Sequence, residues 1–166
     1  MKIALYVLGG LIALVVIMAL IGYMLPKGHV ASRERSFAAP PEKVFAVIST
    51  PADYPTWRGD VKSVDILPPV DGKARFRENG SNGAILFQID ESDPGKRLVT
   101  RIADTTLAFG GRWIFELTPN GTGTTLRITE DGEVYNPLFR FLSRFVFGHT
   151  STIDAYLASL ERKLAA

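Results

Sequence analysis

Apolar residues recur at steps of three and four near the end of the chain, from Pro137 to Leu164. This spacing places them on one stripe of a helix. The stripe comprises Leu138, Leu142, Phe145, His149, Ile153, Tyr156, Leu160 and Leu164. Asn136 before Pro137 is typical of a helix start, because asparagine caps the first amides and proline needs no donor there. The pattern predicts one helix of about 28 residues, roughly 40 Å long. Within it, Gly148 is either a neutral surface position or a site of close packing, or it marks a bend over a cavity.

The start of the chain shows a different pattern, an uninterrupted apolar run. No charged residue occurs from Ile3 to Leu25, and about 23 apolar residues suffice to cross a hydrocarbon core of roughly 30 Å. The run predicts a transmembrane anchor over residues 1–26, followed by one folded domain over residues 27–166. A cleaved signal peptide is the alternative, but the run is longer than the apolar region of such peptides and lacks a good small-residue exit site.

Between these ends, alternating apolar and polar residues predict a sheet. Turns rich in Gly, Pro, Asn and Asp separate the alternating segments. The predicted strands are 30–38, 61–67, 73–78, 84–90, 97–104, 112–118 and 124–134. Two short helices, 42–48 and 51–57, follow the first strand. The order predicts an α+β fold: a seven-stranded curved antiparallel sheet, two short helices and one long C-terminal helix.

A strongly curved sheet has a concave face that one helix cannot fill completely, so we expect a cavity between the sheet and the last helix. Residues that share a strand face by period two, and the apolar stripe of the helix, are candidates for its lining. The candidate ligand-binding residues are Phe76, Glu78, Ile85, Phe87, Ile89, Trp113, Phe115, Leu126, Ile128, Glu130, Leu142, Phe145, His149 and Ile153. His149 is the one ionisable group on the stripe. A carboxylate of Glu78 or Glu130 near it would form a polar spot in an apolar cavity; the alternative is an ordinary helix histidine and solvated carboxylates.

Composition and charge narrow the possible functions. The net charge of only +2 does not indicate nucleic-acid binding. The absence of cysteine excludes disulfides and thiol chemistry, and two distant histidines predict no metal site. No cofactor motif is present. Lys27, Arg33 and Arg35 follow the apolar run, so the positive-inside bias favours a domain on the cytoplasmic side. A signal anchor with the domain outside is the alternative.

Several motifs resemble the helix-grip fold of the START-like superfamily, also called SRPBCC or the polyketide cyclase/dehydrase and lipid transport group. The motifs are Pro41–Ile48 as first helix, Tyr54-Pro55-Thr56-Trp57 followed by the strand from Val61, and the closing helix Ile153–Leu164. The resemblance covers nearly everything after Val30. It implies a fold that binds lipids or other hydrophobic small molecules, and it carries over no catalytic residue because the group shares none.

Three functions fit these observations. The first is a membrane-anchored START-like domain that binds a hydrophobic small molecule or lipid in the cavity. The second is a polyketide cyclase/dehydrase-like enzyme in which His149 and an inward Glu or Tyr156 move protons. The third is an interaction module with a filled core that acts on a partner at the membrane.

Overall fold

The structure is a computed structural model that describes residues 2–81 and 83–165, without the side chain of Phe147. Met1, Asn82 and Ala166 therefore lie outside the described residues, although the predicted segments include them. The α-helices are α1 (Lys2–Met24), α2 (Pro41–Ile48), α3 (Pro137–Leu142) and α4 (Ser151–Ala165). A 3₁₀ helix spans Pro51–Thr56, and a π-helical turn spans Ser143–Phe147. The strands are β1 (Gly28–Phe37), β2 (Val61–Val70), β3 (Lys73–Gly80), β4 (Gly83–Asp93), β5 (Arg97–Ile102), β6 (Phe109–Asn120) and β7 (Gly123–Val134).

The seven strands form one antiparallel sheet in the order β1-β7-β6-β5-β4-β3-β2, which confirms the predicted α+β helix-grip fold. Register shifts between Ile89 and Glu91 and between Leu67 and Val70 mark bulges. Such bulges bend a sheet and increase its twist. The concave face that the prediction required is thus built into the strand pairing.

All seven strands differ from their predicted bounds at one end or both. β6 begins at Phe109 rather than at residue 112, and β5 ends at Ile102 rather than at residue 104. The extra residues of β6 include Gly111, where φ is +123° and an added Cβ would lie 2.4 Å from the Asp131 carbonyl oxygen. Glycine is therefore needed for β6 to pair with β7 at this point. Gly110 and Gly111 lie between two predicted strands, but in the structure they are part of β6.

The hydrophobic core lies under α4 at one end of the sheet. Ile153, Leu157 and Leu160 of α4 are fully or almost fully buried. They join the inward side chains of β7 and the apolar face of α2, including Val44 and Ile48, in a single cluster. This packing orients α4 across the sheet and closes only part of the concave face.

The C-terminal helical segment is interrupted, which corrects the expectation of one continuous helix over residues 137–164. α3 runs into the π-helical turn, and Gly148 then adopts φ = +73° before α4 begins at Ser151. An added Cβ at Gly148 would meet no atom within 4 Å. Glycine is thus required by its backbone conformation rather than by close packing. The break is the bend over a cavity that the sequence left open as one alternative.

α1 is long and apolar enough to span a membrane. Among its residues only Gly22 is buried, and it packs so closely on α3 that an added Cβ would lie 1.9 Å from the Pro137 carbonyl oxygen. The Arg140 side chain of α3 donates hydrogen bonds to the Gly22 and Leu25 carbonyl oxygens, both at 3.0 Å. The end of α1 is therefore held against the domain at α3.

Candidate functional site

A cavity of about 400 Å³ lies between the concave face of the sheet and the segment that links α3 to α4. Eight of the predicted residues line it: Phe76, Glu78, Ile85, Phe87, Trp113, Phe115, Glu130 and His149. The structure brings these residues together from β3, β4, β6, β7 and the helix break. Most of this lining is aromatic or aliphatic, as in sites that bury small molecules.

The other six predicted residues lie outside the cavity lining. Leu126, Ile128 and Ile153 are fully buried in the core, and Ile89 packs against it. Their inward orientation follows the predicted alternation, but α4 covers this end of the sheet and fills the space. Leu142 is partly buried in α3, and Phe145 is 60% exposed in the π-helical turn. Because the helix is interrupted, these two do not continue the inward stripe of α4.

Several lining residues were not among the predicted site residues. They include His29, Tyr54, Arg58, Asp60, Thr100, Arg112, Glu133, Phe139 and Tyr156. Tyr156 lies on the apolar stripe found in the sequence, so its inward orientation could have been predicted. Arg58 and Asp60 follow the 3₁₀ helix in an irregular segment, where no periodicity indicates direction.

One end of the cavity contains a compact ion-pair cluster around Arg58. Its guanidinium donates to Glu78 Oε1 at 2.8 Å and to Asp60 Oδ2 at 2.7 Å. The side chains of Arg58 and Glu78 are only 13% and 12% exposed. Burial raises the pKa of Glu78, and Arg58 offsets only part of this effect. Burial alone would lower the pKa of Arg58, but the two carboxylates outweigh it and raise that pKa, so Arg58 stays charged.

Two buried tyrosines lie beneath this guanidinium. The Arg58 Cζ atom is 5.1 Å from the ring centroid of Tyr54 and 5.3 Å from that of Tyr156, which are cation–π distances. The Tyr54 hydroxyl donates to the Ile48 carbonyl oxygen at 2.6 Å. The buried Tyr156 hydroxyl has no hydrogen-bond partner among the described residues. Burial raises the pKa of Tyr156 well above its usual value, so it remains a neutral donor.

A second polar group of the cavity combines His29, His149 and Glu130. The two imidazole rings stack with centroids 4.0 Å apart, and His29 Nε2 lies 3.3 Å from Glu130 Oε1. Glu130 Oε2 is buried without a partner among the residues that the structure describes. Burial raises the pKa of Glu130, although His29 opposes this, and burial lowers the pKa of His149. Both shifts favour the neutral forms of Glu130 and His149.

The position of His29 depends on Gly132 of the neighbouring strand. An added Cβ at Gly132 would lie 2.5 Å from His29 Cε1. Any larger residue would therefore displace the ring from Glu130 and from the stack with His149. Within residues 2–81 and 83–165, no group of three or more His, Asp or Glu side chains is placed to hold a metal ion.

A curved antiparallel sheet that holds a long C-terminal helix over a cavity defines the START-like class of proteins. The chain belongs to the polyketide cyclase / dehydrase and lipid transport family, whose model matches residues 29–165. No curated protein sequence matches the chain.

Similar solved structures include a START superfamily protein from Mycobacterium smegmatis, at 20% identity and a TM-score of 0.67 over 82% of this chain and 97% of that one. The ZhuI aromatase/cyclase from Streptomyces sp. R1128 has 15% identity and a TM-score of 0.66 over 83% of this chain and 94% of that one. Norcoclaurine synthase from Thalictrum flavum has 13% identity and a TM-score of 0.64 over 83% and 87%. At these identities the likeness shows a shared fold.

Proposed function

We propose that this protein binds a hydrophobic small molecule or lipid in the cavity and is anchored in a membrane through α1. The observation that carries the proposal is the largely apolar cavity of about 400 Å³. Burial of apolar surface supplies affinity, at about 25 cal/mol per Å², and the few polar groups orient the ligand. An interaction module with a filled core does not account for this space.

Two features support the membrane anchor. The apolar side chains of α1 are exposed along its length, which in water would be costly for a helix of this size. α3, which holds α1, also exposes Phe139, and the π-helical turn after it exposes Phe145 and Val146. Exposed aromatic and aliphatic side chains beside a spanning helix suit the interfacial region of a bilayer. The anchor then comprises residues 1–26 and the binding domain residues 27–166.

We place the domain on the cytoplasmic side of the membrane. Lys27 lies three residues after the end of α1 at Met24, and Arg33 and Arg35 lie further along in β1. Basic residues next to a spanning helix favour the cytoplasmic side.

The binding proposal is tested with a cavity-filling variant. Ala108 lines the cavity, so Ala108→Trp is expected to reduce the lipophilic molecules that co-purify with the full chain at least about tenfold, equivalent to 1.4 kcal/mol. The measurement is mass spectrometry of the organic extract, normalised to protein. Ala84→Trp is the matched control, because Ala84 is exposed and neighbours the inward Ile85 on β4. Equal amounts in both variants would contradict binding in the cavity.

A second function, proton transfer on the bound molecule, is favoured by the cluster of His29, His149 and Glu130. For a protein that only binds, His149→Ala is expected to change the amount of co-purified ligand by no more than about twofold, since His149 is partly exposed. The same extracts show whether the identity of the molecule changes. Retained binding together with accumulation of an unconverted precursor in the variant would instead establish an enzyme.

A further inference from the structure

The short helix α3 lies between the end of α1 and the cavity. On one side it touches α1: an added Cβ at Gly22 would lie 1.9 Å from the Pro137 carbonyl oxygen and 3.4 Å from the Phe141 Cβ atom. On another side Phe139 lines the cavity, and so does Ser143 in the turn that follows. One short segment is therefore packed against the apolar helix and also forms part of the cavity wall.

The contact between α1 and α3 extends along the last two turns of α1. Met18 and Ala19 are partly buried and Gly22 is buried, whereas the other residues of α1 are exposed. The three share one face of the helix, because they are three or four positions apart, and α3 is the element that packs against α1. Met18 lies about 9 Å before the end of α1 at 1.5 Å per residue. When α1 spans a bilayer, α3 therefore lies at the depth where headgroups meet acyl chains.

The cavity has an apolar edge beside α3. Phe139 and Gly148 line the cavity and are exposed, the phenylalanine by 53%. Among the exposed large hydrophobic side chains of the part of the chain that the structure describes, Phe139 is the one that belongs to this lining. Phe145 and Val146, in the turn after α3, are 60% and 61% exposed. The remaining exposed residues of the lining are polar or glycine: Asp60, Gly83, Arg112, Glu133 and Thr152. The edge at Phe139 thus continues into an exposed apolar surface, which marks a site of contact with an apolar partner.

We propose that the opening beside Phe139 faces the bilayer in which α1 is anchored, and that the cavity takes up a lipid directly from that bilayer. A molecule that binds in the cavity through its apolar surface also dissolves among acyl chains, and passage through water would expose that surface. Arg144, exposed in the same turn as Phe145, suits the lipid phosphates at this depth. The inference rests on the proposed function and adds the source of the ligand and its point of entry.

The depth of the opening is measured with single fluorescent labels, since the chain has no cysteine of its own. The full chain is placed in phosphatidylcholine nanodiscs whose acyl chains carry a nitroxide quencher. A label on Phe145→Cys is expected to lose at least about half of its emission, because interfacial side chains reach roughly 5–10 Å into the acyl boundary. Leu14→Cys, in the middle of α1, reports the anchor and is expected to be quenched as well. Thr122→Cys is the control, because Thr122 is exposed just before β7, about 35 Å from the end of that strand at Val134.

The pattern of quenching separates this inference from the anchor itself. Quenching at positions 14 and 145 but not at 122 is the expected result. Quenching at position 14 alone would overturn the inference, because the apolar edge would then face water or a protein. Equal quenching at 122 and 145 would also overturn it, since the domain would have no preferred face toward the bilayer. Absence of quenching at position 14 would instead count against the anchor in the proposed function.

Uptake is measured with a long-chain monoacylglycerol that carries a diazirine near the end of its acyl chain, dissolved in the same nanodiscs without quencher. After brief irradiation, adducts are expected on Trp113 or Phe115, which line the cavity and fall in the tryptic peptide 113–127. Phe145→Asp is expected to lower this yield at least about threefold, because a carboxylate is costly among acyl chains. Thr122→Asp is the matched control and is expected to give the wild-type yield.

Equal yields from Phe145→Asp and Thr122→Asp would overturn direct uptake from the bilayer. Absence of cavity adducts in the wild type would overturn it as well, if lipophilic molecules still co-purify with the wild type and are lost in Ala108→Trp. If that co-purification also fails, the proposed binding function fails with it.

Discussion

Replacement of Arg58 by methionine is expected to lower the free energy of unfolding by about 3–5 kcal/mol, the usual effect of removing one partner from a buried ion pair. Glu78 would be left with a carboxylate that is 12% exposed and has lost its cation. Methionine keeps much of the volume over the rings of Tyr54 and Tyr156. The loss of stability would therefore come from the missing charge rather than from an empty space in the packing. Urea denaturation of the full chain, followed by fluorescence of Trp57 and Trp113, measures the change.

The pH dependence of this loss identifies Glu78 as its source. Burial already raises the pKa of Glu78 in the wild type, so its contribution to stability is complete below the unfolded pKa and is lost as pH rises through the folded pKa. Without Arg58 the folded pKa rises further. The Arg58→Met penalty is therefore expected to be largest at neutral pH and above, and to shrink as acid protonates Glu78.

Two further variants complete the test. Arg58→Met combined with Glu78→Gln is expected to recover most of the stability, because no unpaired buried charge remains. Arg77→Met, at an exposed position on β3, is expected to change stability by less than about 0.5 kcal/mol. A penalty for Arg58→Met that is independent of pH, or equal to that of Arg77→Met, would show that the ion pair is not buried as the structure has it.

The sequence predicted which side chains point inward but not where the core ends and the cavity begins. Leu126, Ile128 and Glu130 alternate along one face of β7, as predicted. The first two are fully buried in the core and the third lines the cavity. The division between them depends on where α4 begins, and α4 begins only at Ser151. The periodicity of a strand contains no information about where the helix that covers the strand begins.

The sequence left the helix break open as one alternative and did not decide for it, because the local signal of the break is weak. A glycine inside a helix costs only about 1 kcal/mol relative to alanine, and the apolar stripe passes through Gly148 without a gap. Tertiary contacts decide the outcome: α3 packs on the end of α1 while α4 packs on the sheet. These two partners orient the two halves differently, and a π-helical turn with a positive-φ glycine joins them.

The polar groups of the cavity depend on contacts that are distant in sequence. His29 and Glu130 are 101 residues apart and meet through the pairing of β1 with β7. Arg58 meets Glu78 from an irregular segment after the 3₁₀ helix. The sequence marked Glu78, Glu130 and His149 as inward from their periodicity, but it offered no means of assigning the partner of each. Those assignments needed the register of the whole sheet.

Replacement of Arg140 by alanine is expected to release α1 from the domain. The Arg140 side chain is 6% exposed and bridges two segments with four hydrogen bonds. It donates to the Gly22 and Leu25 carbonyl oxygens of α1 and its exit, and to the Val134 and Tyr135 carbonyl oxygens, at 2.9 to 3.0 Å. A cation at the carboxyl end of a helix is favourable, and each bond from a charged donor contributes about 1.5–3 kcal/mol.

Trypsin cleavage after Lys27 measures this release. In the wild type the Lys27 carbonyl oxygen accepts from the Val134 amide at 2.9 Å, which holds the linker in extended pairing. Arg140→Ala is expected to raise the cleavage rate at least about tenfold, since the linker must open locally before a protease can bind it. Intact-mass spectrometry of a time course in nanodiscs separates the fragment after Lys27 from the whole chain.

Arg144 provides the matched control, because it lies one turn further along the same segment and is exposed. Arg144→Ala should be cleaved after Lys27 at the wild-type rate. Arg140→Lys should be cleaved at a rate between those of the wild type and Arg140→Ala. The lysine ammonium keeps the positive charge, but it lacks the planar guanidinium that reaches four carbonyl oxygens. If Arg140→Ala and Arg144→Ala are cleaved equally slowly, the joint between α1 and the domain does not depend on Arg140. The close packing of Gly22 on Pro137 would then have to hold α1 without help from the guanidinium.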